Sequence, residues 1–143
     1  MATTAAISVA EPSQVELPLW RLYVLRAMYL LLVVGLGATI IPQILAPEAV
    51  GRGVIPSLLG AVWLLALLGL RYPLQMLPLL MFELAWKTIW MIAYGLPQRS
   101  AGVRPPTYAE DFFSIGTGAI LLLVIPWGYV WQRYVRQPAE RWR

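Results

Sequence analysis

Four apolar stretches separated by short polar segments run along this chain. The first is long enough to cross a hydrocarbon layer of about 30 Å at about 1.5 Å of rise per helical residue, and the second, at about 25 Å, is short but sufficient. The first covers residues 20–45, with Arg21 and Arg26 near its start and Pro42 near its end. The second, residues 54–70, has no charged side chain and follows a connector holding Pro47, Glu48, Gly51, Arg52 and Gly53. Arg71, Tyr72 and Pro73 predict a tight turn, with Pro73 at the first position of a third helix over 73–96, where its missing N–H would be unpaired anyway. Gly95 and Pro97 should end that helix. Pro78 predicts a kink in its first turns unless the helix begins only there. Residues 98–106, with Arg99, Gly102, Arg104 and two prolines, read as a non-helical loop. Thr107 and Glu110 have capping-box spacing and open a fourth helix over 107–135, which Pro126 should bend.

These blocks predict an all-α integral membrane four-helix bundle of up-down-up-down topology. A polar tail over 1–18 precedes the membrane domain of 19–136, and a basic tail over 137–143 closes the chain. The first tail lacks the positive region and apolar core of a secretory signal. Composition agrees: at 59% apolar and 13% charged residues, with a mean hydropathy of +0.67, the chain is too apolar to cover a water-facing surface. With four crossings, Arg21, Arg26, Arg71, Arg133, Arg136, Arg141 and Arg143 share one side, against Arg52, Arg99 and Arg104 on the other. The positive-inside rule then puts both termini in the cytoplasm of a bacterium, with the bundle in its inner membrane and tyrosines and tryptophans forming belts at both interfaces.

Charge and missing residue types narrow the chemistry. The net charge of +4 could suit nucleic acid, but the arginines flank the apolar blocks and form no separate basic domain, so membrane lipids are the expected partner and nucleic acid is not. Without a single Cys or His, the chain has no disulfide, thiol nucleophile, imidazole base or histidine ligand for haem, and no cofactor is expected.

Glu83 and Lys87 are the informative pair. A lone charge at mid-membrane costs from about 2.5 to well over 10 kcal/mol, and this spacing, acid first, lets the two pair on one face of a single helix. Trp86 and Trp90 flank that face. Trp63, at similar depth on the second helix, is expected to donate its indole N–H to Glu83, completing a buried polar cluster. The cluster either glues helices or a neighbouring subunit together, or binds a proton, ion, lipid headgroup or polar ligand. Glu110 and Asp111 read as dipole-complementing residues at a helix start, and Arg133, Arg136, Arg141 and Arg143 as lipid or partner contacts. Small residues at Gly53, Ser57 and Ala61, at Ser114 and Gly118, and at Gly35 and Thr39 predict close helix approach within the bundle.

The stretch from Gly69 to Trp90 carries Arg-Tyr-Pro-Leu, then Met-Leu-Pro, then Phe-Glu and Trp-Lys. With Pro126, Trp127, Tyr129 and Val130 and the closing Glu-Arg-Trp-Arg, it resembles a group of small bacterial four-helix membrane proteins over most of residues 20–143. That resemblance implies the fold and no particular activity. The hydrophobic layout and Arg26 in the first helix are also similar to DoxX-like four-helix proteins. The expected role is non-catalytic, an accessory or scaffold subunit among other integral membrane subunits. The alternative is a small oligomeric transporter or channel working through Glu83 and Lys87.

Overall fold

Prolines and glycines decide where the helices of this chain start, turn and stop. The computed structural model describes residues 17–46 and 53–138. Most of the expected N-terminal tail, the connector residues Pro47, Glu48, Gly51 and Arg52, and Arg141 and Arg143 lie outside the described residues. All regular structure among the described residues is helical. Among the described residues three helices are long and apolar enough to cross a membrane, and a fourth if a bent pair counts as one span.

Helix α1 is Leu19–Leu45 and α2 is Val54–Arg71. They pack along each other, with glycines on each receiving large side chains from the other. A Cβ on Gly37 would meet Trp63 Nε1 at 2.9 Å, and one on Gly60 would meet Ile44 Cδ1 at 2.9 Å. At Gly69 a Cβ would overlap the Tyr29 ring. Of the small residues expected to allow close approach, Gly35 and Gly53 face open space, and Ser57 and Ala61 are exposed beside the gap between the two helices. The seam runs along the buried α1 positions Leu25, Met28, Tyr29, Leu32, Gly37 and Ile40, which share one face of the helix. Both helices turn leucines, valines and isoleucines outward, an exposure that suits lipid and not water.

Tyr72 ends α2 because a residue before proline is pushed out of the helical region. The third helix does not start at Pro73. Residues 73–76 form a turn, and α3 is Leu77–Ser100, with Pro78 in its first turn, where no partner is lost for its absent N–H. A start at Pro73 would have driven the Pro78 ring into a carbonyl one turn back. Tyr29 Oη donates to the Pro73 carbonyl at 3.1 Å, so the buried tyrosine ties α1 to this turn.

Gly95 and Pro97 do not stop α3, and residues 98–100 are helical, not loop. A π-helical stretch over Met91–Gly95 widens the helix, with the Leu96 N–H reaching back to Met91, so that Pro97 is accommodated without collision. The stop comes at Gly102. Its φ of +69° and the bonds Val103 N–H to Gln98 O (3.1 Å) and Gly102 N–H to Arg99 O (3.3 Å) make a Schellman motif.

The fourth stretch begins at Tyr108, and the expected capping box is not formed. Thr107 has helical dihedrals and its side chain makes no cap, because the turn from Pro105 already leads into the helix through Tyr108 N–H to Pro105 O. Helix α4, Tyr108–Val124, is interrupted at Thr117 and followed by α5, Trp127–Arg136, at a bend of 73°. Ile125 before Pro126 is extended, as proline requires of its predecessor. Pro126 also cannot donate to the Leu122 carbonyl, and the Trp127 indole N–H takes that place at 2.8 Å. The core joins Leu25, Tyr29 and Leu32 to Val62, Ala66, Leu77, Leu80, Leu121, Ile125 and Val130, so all five helices meet in it.

Candidate functional site

Glu83 and Lys87 lie one turn apart on the buried face of α3 and are 2% and 8% exposed, the only charged side chains buried among the described residues. Lys87 Nζ stands 3.5 Å from Glu83 Oε2. It donates to Thr117 Oγ1 at 3.3 Å, and that hydroxyl donates onward to the Ser114 carbonyl. The ammonium also lies 5.6 Å from the Trp86 ring centroid. The lysine stem crosses Gly118: a Cβ there would stand 3.1 Å from Lys87 Cδ and 3.3 Å from its Cβ.

The break in α4 is what makes this arrangement possible. Thr117 accepts the ammonium at the interruption, while Gly118, one residue later, clears the path for the stem. A polar contact thus crosses from α3 to α4 through an otherwise apolar core. Two buried atoms have no partner among the described residues, Glu83 Oε1 and Trp86 Nε1. One is an acceptor and the other a donor, on residues three apart in the same helix.

The remaining expected members of the cluster sit elsewhere. Trp63 donates to the Val33 carbonyl at 2.9 Å rather than to Glu83, because the missing side chain at Gly37 leaves room for the indole N–H edge against α1. Trp90 packs over Gly95 of its own helix, in the π-helical stretch. Thr117 is not legible in the sequence, since one threonine beside a glycine carries no signal until α3 is docked against it. Arg133 and Arg136 are exposed, and Arg133 Nη1 donates to Gln137 Oε1 at 3.2 Å. No cluster of potential metal ligands occurs among the described residues.

A second grouping lies where α3 gives way to α4. Arg99, Arg104, Pro105, Pro106, Tyr108 and Phe112 are among the walls of an open cleft of about 490 Å³. The Tyr108 hydroxyl reaches the Gly95 carbonyl at 3.4 Å, and its ring stacks on Phe112 at 5.7 Å. A second cavity, about 380 Å³ and almost wholly apolar, opens between α1 and α2 beside Ile40, Ile44, Gly60 and Trp63. Comparison with protein families, curated proteins and solved structures gives no match.

Proposed function

We propose that this chain is a non-catalytic integral membrane protein, an accessory or scaffold subunit that assembles with other integral membrane subunits in a bacterial inner membrane. Its helices alternate up and down, with both termini in the cytoplasm. One observation carries the reading: the buried ammonium is satisfied inside the chain, by Glu83 on its own helix and Thr117 on the next. Around the pair, the other buried residues are apolar or glycine and proline, which supports a cross-brace between α3 and α4 rather than a solvated path. The outward faces of α1 and α2 are left to lipid or to a neighbouring subunit.

Native mass measurement of the full chain extracted in mild detergent tests this directly. A defined set of co-purifying membrane subunits is expected, and Glu83→Gln with Lys87→Met weakens their retention without changing ion or substrate flux in proteoliposomes. A chain that is monomeric in every mild detergent overturns the reading.

One feature favours a second reading, the small oligomeric transporter or channel. Glu83 Oε1 is buried with no donor among the described residues, which leaves that oxygen open to a proton. Proton release when a substrate is added to purified homo-oligomer, abolished by Glu83→Gln, would replace the scaffold reading with this one.

A further inference from the structure

We infer that the cleft between the end of α3 and the start of α4 is a binding site for an anionic phospholipid, with Arg99 and Arg104 holding the headgroup phosphate. The Schellman reversal at Gly102 brings these arginines, five positions apart in sequence, to one mouth. Neither forms an ion pair among the described residues. Glu110 and Asp111, though they follow closely in α4, stand outside 4 Å of both guanidiniums and do not line the cleft. Both arginines are exposed, and their guanidinium donors suit a phosphate.

The rest of the cleft distinguishes a lipid from a free anion. Beneath the arginines the walls are Pro105, Pro106, Ala109, Phe112 and Phe113, and Phe113 is 78% exposed. Arg99 stands 6.0 Å over the Phe112 ring, which fixes the fork above an apolar floor. A headgroup with its glycerol and upper acyl carbons satisfies both layers, whereas inorganic phosphate would leave the aromatic floor uncovered. The site lies at the end of a membrane-length helix, where headgroups sit. The apolar cavity between α1 and α2 offers no such cation.

The chain has no cysteine, so Thr107→Cys gives the full-length protein a single fluorophore attachment beside the cleft. In phosphatidylcholine nanodiscs, quenching by brominated phosphatidylglycerol is compared with quenching by brominated phosphatidylcholine at equal mole fraction. A preference for phosphatidylglycerol is expected, with a contribution of about fivefold from each arginine. Arg99→Gln with Arg104→Gln removes it, the matching lysine pair retains part of it, and Arg133→Gln with Arg136→Gln leaves it unchanged. Gly102→Ala keeps both charges but disturbs the reversal, and it lowers the preference as well. Equal quenching by the two lipids, or a preference that survives the double glutamine change, overturns the site. Inorganic phosphate displacing the brominated lipid as effectively as phosphatidylglycerol would assign the cleft to a free anion instead.

Discussion

Lys87 is held by a carboxylate, a hydroxyl and a ring face at once, and removing any one partner exposes what the others contribute. Lys87→Met leaves Glu83 buried without its counter-charge and is expected to destabilise the protein by about 3–5 kcal/mol. Adding Glu83→Gln should recover much of that loss, so the double variant unfolds closer to wild type than Lys87→Met alone. Reversible unfolding in detergent micelles of the singles and the double measures the coupling; strictly additive losses would show the pair to be uncoupled. Tyr29 gives a second test at this scale. Tyr29→Phe should cost about 1 kcal/mol through the lost bond to the Pro73 carbonyl, and Gly69→Ala more, because its methyl displaces the same ring. The Glu83–Lys87 pairing was legible in the sequence because the four-residue step is a property of one helix. Thr117 and Gly118 were not, and neither was the partner of Trp63, since these depend on which helices meet and at what height.

At the scale of elements, three prolines act through the N–H they lack, with three different outcomes. Pro78 starts a helix, Pro97 is absorbed by a π-helical stretch, and Pro126 makes a corner. Their presence could be read from the chain, but their outcomes depended on what replaced the absent donor. At Pro126 the substitute is the Trp127 indole, so the corner is locked from both sides. Pro126→Ala should reduce the 73° bend, seen as a longer distance between spin labels on α4 and α5 in a chain that carries no native cysteine. Trp127→Phe should keep the mean distance and broaden its distribution, since the bend survives while its tether is lost. The helical blocks themselves were plain from hydropathy. The stop of α3 was misplaced because Gly95 and Pro97 looked like a terminator, whereas the decisive glycine is the one at positive φ, Gly102, with Pro105 shortly beyond.

For the whole molecule, the corner at Pro126 bears on the number of crossings, and hence on which side each terminus lies. If α4 crosses the membrane by itself, it offers about 25 Å of rise, enough for a thinned or locally adapted bilayer. Helix α5 then turns off along the interface, with Trp127, Trp131 and Tyr134 exposed at headgroup level and Arg133 and Arg136 beside them. Four crossings put both termini together on the side with seven of the ten arginines, whereas a re-entrant α4–α5 would put the C-terminus opposite the N-terminus. Reporter fusions at each end decide between these: a fluorescent protein that folds only in the cytoplasm is expected to light at both termini, and a periplasmic phosphatase to be active at neither. Activity of the phosphatase at the C-terminus alone would mean that the corner returns the chain within the bilayer. The bend would then belong to a re-entrant hairpin, and Arg133 and Arg136 would lie on the outer face with Arg99 and Arg104.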